Sequence, residues 1–486
     1  MAYLGFSARA RNLALSAGCA ALLAACGGGG GSASSSGTVT PTPTPAPTSA
    51  CALTARKSWA LSQLQEWYLF PDLLNSSANA AAYSTIDDYI DALVAPARAQ
   101  YRDRYFTYLT SIKEEDAYYG EGETAGFGIR FELDPSQYRL YASEVFEGTP
   151  ALAAGIDRGS EILQITIPGG SARNVRDILI SGGTPALVNA LGPDTAGTTR
   201  VVKFRTSAGE ERTVNLAKAD YKLDPVSDIY GAKIITDGDK QVGYINLRTF
   251  IDTAAPDLRA AFAAFKAQGV TELIIDLRYN GGGLISIAAL MGDLMGEGRG
   301  GQVFSQITLR ESKANLNSAY LFEPTSESIT PTKVAFIATG STASASELVI
   351  NGMVPYLGTN MALIGGNTYG KPVGQMAFDR EACDDRLRIV ALKVENADQQ
   401  GEYYSGLATT VPTTCRASDD ITYQLGDPEE GMVRAALDYL GGRSCSPILT
   451  ASATASVGTV RSQAARVPLT RDMPRSAPQH ELPGAF

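Results

Sequence analysis

The chain has 486 residues, with 41 Lys and Arg against 51 Asp and Glu and a net charge of -10, so a phosphate backbone is a poor partner for it. Apolar residues make up 44% of the chain. No internal stretch reaches the ~20 apolar residues of a spanning helix, which argues for a globular body. One histidine, His480, stands in a Pro- and Ser-rich tail. Its place argues against a histidine-based triad, a multi-histidine zinc site or an H-E-x-x-H metalloprotease.

Residues 1–25 carry Arg9 and Arg11, then an apolar run over 13–25 and no acid, the pattern of a secretory signal peptide. The run ends Leu23-Ala-Ala-Cys26 and resembles the lipobox of bacterial lipoproteins. That resemblance implies an acylated Cys26 as the mature N-terminus and a stable membrane anchor. With Gly27 rather than Asp next, the expected address is the periplasmic side, at the outer membrane of a Gram-negative cell. A Gly- and Ser-rich run followed by Thr-Pro repeats makes 26–50 a tether. Of the six cysteines, Cys19 leaves with the signal and Cys26 is the lipid site. The other four, in an exported chain, imply two disulfides. Three pairings are open, and Cys51 with Cys445 and Cys383 with Cys415 are preferred because the first pair brackets the folded region. No CxxC spacing offers a metal site.

Residues 51–118 read as a small helical module. Trp59, Leu61, Leu64 and Tyr68 fall near one face, as do Ile86, Tyr89, Ile90 and Leu93, and Pro71 and Pro96 break the runs. From Gly126 the period becomes that of strands, over 130–133 and 140–145, with a short helix over 148–155 and a turn into a strand over 156–163. A helix over 186–191 and a hairpin about 207–209 follow. Together 119–222 resembles a PDZ domain. Such domains hold a C-terminal carboxylate in a Gly-Φ-Gly-Φ loop and add the peptide as a strand; here that loop is Gly126, Phe127, Gly128 and Ile129.

Residues 223–445 alternate strands over 242–247, 272–277, 333–337 and 361–364 with helices over 254–268, from 284 onward and up to 353. The fold class is α/β, with the apolar runs of a buried parallel sheet. Residues 446–486 are Ala-, Ser- and Pro-rich and are expected to be disordered.

Chemistry is expected where strands run into helices. Ser344 stands at a helix start in Ala338-Thr-Gly-Ser-Thr-Ala-Ser-Ala-Ser-Glu347, a turn with more hydroxyls and small residues than a cap needs. Without a usable histidine its base has to be a lysine whose pKa is lowered by burial. Lys371 in Gly365-Gly-Asn-Thr-Tyr-Gly-Lys-Pro372 is the best placed. That stretch nearly matches a phosphate-binding loop, but Pro372 replaces the Mg²⁺-binding hydroxyl, so no nucleotide is expected. Neither S-x-x-K nor G-x-S-x-G occurs.

Asp276-Leu-Arg-Tyr-Asn-Gly-Gly-Gly283, Ser341-Thr-Ala-Ser-Ala-Ser-Glu347, Thr368-Tyr-Gly-Lys371 and Gln375 resemble the C-terminal processing, or tail-specific, serine peptidases. The order of helical module, PDZ domain and peptidase domain agrees with that family over residues 51–445. The resemblance implies a crotonase-like sheet core, with Ser344 as nucleophile, Lys371 as general base and Gln375 orienting the lysine. It also implies an oxyanion hole from the N–H groups of Gly282 and Ala345. Asp276, Arg278 and Glu347 are expected to hold the active turns rather than react. The expected activity is that of an endopeptidase acting on proteins or peptides with free C-termini, without metal or cofactor and without nucleic acid as partner. The rival reading is an inactive peptide-binding adaptor that keeps the fold.

Overall fold

The computed structural model describes residues 49–448, 466–471, 473–474 and 476–486. The expected signal peptide, the lipid site Cys26 and the tether up to residue 48 lie outside the described residues. The chain starts with the helices Leu53–Trp67 and Ile86–Ala99. Thr85 caps the second, its Oγ1 accepting from the Asp88 N–H at 3.1 Å, and Asp87 and Asp88 suit the positive end of its dipole. Pro96 lies inside this helix instead of breaking it. The Ala92 carbonyl left without the proline's N–H accepts from Asn75 Nδ2 at 3.4 Å.

These helices are not a separate module. Leu64, Tyr68, Ile86, Tyr89 and Leu93 are buried in one cluster with Leu247, Phe262, Phe336 and Val390 of the later chain. The strand Tyr108–Ser111 also pairs antiparallel with Asp385–Glu395.

The α/β core is a six-stranded sheet in the order Ala232–Asp237, Lys240–Asn246, Glu272–Asp276, Lys333–Ala338, Met361–Gly365, Thr414–Arg416. The first pair is antiparallel and all the others are parallel. The middles of its central strands, over 273–275 and 334–337, are apolar because both faces are covered. Leu273 and Ile275 meet the helices Ala254–Ala267, Ile285–Leu294 and Ala345–Leu357, whereas Ile274 meets Gly431–Leu440. No described helix is long and apolar enough to cross a membrane.

Residues 129–217 supply six strands of a seven-stranded sheet, Ile129–Asp134, Arg139–Val145, Glu161–Thr166, Arg173–Asn174, Thr199–Arg205 and Glu211–Ala217, and Val467–Pro468 supplies the seventh. The helix Val175–Leu191, kinked at Gly183, closes its apolar face.

Two expectations are corrected here. Cys51 pairs with Cys383 and Cys415 with Cys445, at Cα separations of 5.5 and 5.3 Å, in place of Cys51–Cys445 and Cys383–Cys415. The first helix docks on the strand Asp385–Glu395, with Arg56 in contact with Asp385 and the Leu69 N–H on the Val390 carbonyl at 2.9 Å. That docking carries Cys51 to the turn holding Cys383. After the helix Gly431–Leu440 the chain returns past the edge strand, with the Arg416 N–H on the Ser446 carbonyl at 2.7 Å, and so brings Cys445 to Cys415.

The expected disorder over 446–486 fails for the end of that stretch. Val467–Pro468 pairs with the Ile129–Asp134 strand, Ala477–Glu481 forms one helical turn, and Leu469 and Phe486 are buried in the core of the β-rich domain.

Candidate active site

The strand Lys333–Ala338 ends in a turn, and the helix Ala345–Leu357 begins just after Ser344. Ser344 has φ 55° and ψ -116°, a conformation that costs free energy in any residue with a Cβ. The neighbouring hydroxyls hold the turn. Thr342 Oγ1 donates to the Leu277 carbonyl at 2.8 Å, and Ser346 Oγ donates to the Asn280 carbonyl at 3.1 Å. The Ser-rich turn is thus fastened to the Gly-rich turn that follows the adjacent parallel strand.

Glu347, fully buried, is the common anchor. Its Oε2 accepts the Ser344 N–H at 3.1 Å and the Lys371 N–H at 2.7 Å, and its Oε1 accepts the Gly370 N–H at 2.7 Å. Burial pushes its carboxyl up, while Thr368 and these N–H groups pull it back.

Lys371 is 5% exposed. Its Nζ donates to Gln375 Oε1 at 3.0 Å, and Gln375 is itself held by Nε2 donating to the Phe106 carbonyl. The Phe106 ring centroid lies 4.8 Å from Nζ. Among the described residues, Lys371 Nζ donates to Gln375 and not to Ser344. Desolvation lowers the lysine pKa; Glu481, Asp103 and Glu347 oppose the shift and Arg388 adds to it.

In the glycine turn, Gly282 has φ 120°, and a Cβ there would lie 2.7 Å from Ser344 Cβ. Its N–H donates to Asn280 Oδ1 at 2.9 Å, whereas the Gly281 N–H donates to the Glu481 carbonyl oxygen at 2.9 Å. Ala345 occupies the first position of its helix, as expected.

Below this turn Arg278 contacts Asp276 at 2.9 Å, Glu430 at 2.8 Å and Asp419 at 2.9 Å, all out of solvent. Arg158 of the β-rich domain reaches the same Asp419. The two arginines hold Asp419 far below the usual carboxylate range against the desolvation that would raise it. Asp276 and Arg278 therefore support the turn and join the two domains.

The loop at 126–129 is occupied. The N–H groups of Phe127, Gly128 and Ile129 converge on the main-chain oxygen of Phe486 at 2.9, 3.2 and 3.4 Å, and the Phe486 N–H returns to the Ile129 carbonyl at 2.9 Å. A Cβ on Gly126 would lie 2.6 Å from the Phe486 carbonyl carbon. Sequence reasoning missed Asn280, Phe106, Glu481 and Phe486. The first two could have been found only from the turn and the irregular segment they sit in, and the last two lie in a tail whose composition gave no sign of order.

Residues 241–406 match the family model described as peptidase family S41. This stretch resembles peptidase family S41. Among curated proteins, the chain is 25% identical over 324 residues to carboxyl-terminal-processing peptidase 3, chloroplastic, of Arabidopsis thaliana, covering 66% of this chain and 60% of that one. It is 28% identical over 261 residues to a carboxyl-terminal-processing protease of Picosynechococcus, covering 53% and 57%. The chain thus spans less than two thirds of the length of these relatives. A crystal structure of a Bacteroides fragilis protein assigned to the S41 proteases shares the fold. Its TM-score is 0.60 at 22% identity, covering 79% of this chain and 97% of that one.

Proposed function

We propose that the protein is an exported serine endopeptidase that uses Ser344 and Lys371 and takes chains by their C-terminal ends. In this reading the sheet core is crotonase-like, 119–222 is a PDZ domain with its ligand loop at 126–129, and an acylated Cys26 anchors the molecule on the periplasmic side. The observation that carries it is the single Glu347 carboxylate oxygen shared by the main-chain N–H groups of Ser344 and Lys371. A structural serine and a surface lysine have no need of a common buried anchor, whereas a nucleophile and its base do.

Neutral Lys371 Nζ, held by Gln375 Oε1, accepts the proton of Ser344 Oγ as the oxygen attacks the substrate's peptide carbonyl carbon. The Gly281 and Ala345 N–H groups receive the oxyanion. Collapse breaks the C–N bond and the leaving amine takes the proton from Lys371. The acyl-enzyme is then opened by water, which gives a proton to the same lysine; Lys371 returns that proton to Ser344 Oγ as the ester C–O bond breaks, and the carboxylic acid product ionises to solvent.

The test compares the parent with Ser344→Ala and Lys371→Ala on an unfolded protein and on peptides with free or amidated C-termini, read by mass spectrometry. The parent should cut, and each variant should lose at least about three orders of magnitude in kcat. Amidation should weaken the cleavage. Binding of tails without turnover in any form would instead establish the adaptor.

A further inference from the structure

The stretch 476–486 runs through both sites just described. At its far end Phe486 is 2% exposed. Its ring lies 6.0 Å from that of Phe131, with the Arg471 guanidinium 4.3 Å above it. The Phe131 N–H donates to the Gly484 carbonyl at 2.7 Å and Arg130 Nη1 to the Pro483 carbonyl at 2.7 Å, and Ala485 pairs antiparallel with Arg130 through a single bridge. At its near end Glu481 is 3% exposed, and its main-chain oxygen is on the Gly281 N–H at 2.9 Å. Its side chain enters the catalytic centre. Oε2 lies 3.0 Å from where a Cβ on Gly282 would stand, a position itself 2.7 Å from Ser344 Cβ. Among the described residues that oxygen has no hydrogen-bond partner, while Oε1 accepts from Tyr119 at 3.4 Å. His480 stacks on Tyr108 at 4.2 Å. One stretch of chain therefore fills the candidate oxyanion donor and the tail-binding loop at once.

We propose that residues 476–486 are a built-in competitor, which holds the 126–129 loop and the Gly281 N–H together and has to leave before a substrate chain binds. This rests on the peptidase reading above. The segment lines a cavity of about 1110 Å³ together with Glu114, Thr124, Asp194 and Lys222. As part of the same chain it competes at an effective concentration of roughly millimolar. A substrate tail making similar contacts at micromolar concentration loses to it, so the cost of displacement falls on KM and not on kcat.

Two full-chain variants away from the reacting groups test this. In Phe486→Asp the ring leaves its pocket. In Gly484→Val a side chain is forced onto φ 87° and to within 2.7 Å of the Phe131 carbonyl oxygen, while no residue of the β-rich domain itself is changed. Docking is read as hydrogen-exchange protection of the Phe127, Gly128 and Ile129 amides, and activity as kcat and KM on a reduced, carboxymethylated protein. The expected result is loss of protection with KM lowered about tenfold or more and kcat unchanged. Release of the segment with the parent's KM would overturn the competitor and leave the peptidase reading standing. Release with no cleavage by any form would overturn the Ser344 and Lys371 reading, and the competitor with it. A parent chain whose intact mass shows loss of 482–486 would make the segment a substrate and overturn the proposal as well.

Discussion

Lys371 can act as a base only in its neutral form, and its surroundings favour that form. Burial penalises the ammonium and sets the pKa below the ordinary lysine value. A base with a lowered pKa is protonated and idle in acid and becomes competent as pH rises through that pKa. The value of kcat, which reports the bound complex, should therefore climb with pH and level off before the range of an ordinary lysine. A flat kcat from about pH 5 to about 9 would remove Lys371 from the role. Glu347 acts one step back, through the turns it fixes. Glu347→Ala strands three buried N–H groups, each costing about 1–3 kcal/mol when left unpaired. The expected result is a clear loss of thermal stability and a fall in kcat larger than any rise in KM. Glu347→Gln, which keeps one acceptor oxygen, should recover part of both.

At the scale of elements, what could be read in the sequence depended on whether the signal is local. The strands at 272–277 and 333–337 were legible because a sheet covered on both faces demands unbroken apolar runs, and the turns after them carry Ser344 and the glycines where the sheet order places them. That the Gly282 N–H bonds within its own turn was not legible, since it depends on which way the Asn280 amide points. The pairing of 467–468 and 484–486 was hidden for a related reason: apolar residues such as Val467, Leu469, Leu482 and Phe486 have no period, and these stretches are held by a strand that already exists. Disulfide partners were hidden too, because they follow from where the first helix docks. Those bonds make a separable prediction. Cys51–Cys383 spans 332 residues and Cys415–Cys445 spans 30, so in the chain-entropy picture the first stabilises by about 2 kcal/mol more than the second. Serine replacement of each pair, followed by denaturant melts, should show that order. Non-reducing peptide mapping should recover Cys51 linked to Cys383 and no Cys51–Cys445 species.

Over the whole molecule the tail touches both the candidate catalytic centre and the β-rich domain, and Glu481 is expected to make its docking depend on pH. Its carboxyl is pushed from an ordinary 4.5 up to about 7, chiefly by burial; Lys371, Arg388 and the Tyr119 hydroxyl pull it down and Glu115 pushes it up. Tyr108 and Tyr118, also facing it, are raised above their ordinary values by their own burial and stay neutral over this range. A group whose docked pKa exceeds its free value binds a proton on docking. Docking is then at full strength below about pH 4.5 and is lost as pH rises through about 7, when an ionised carboxylate would sit buried with one oxygen unpaired. The shift corresponds to a weakening of roughly a few hundredfold in the docking equilibrium between the two limits. Exchange protection of the Phe127, Gly128 and Ile129 amides, corrected for intrinsic rates, should fall over that interval in the parent. In Glu481→Gln, neutral at every pH, it should stay level. Equal pH dependence in the two proteins would place the titrating group elsewhere and detach the tail from the chemistry at Lys371.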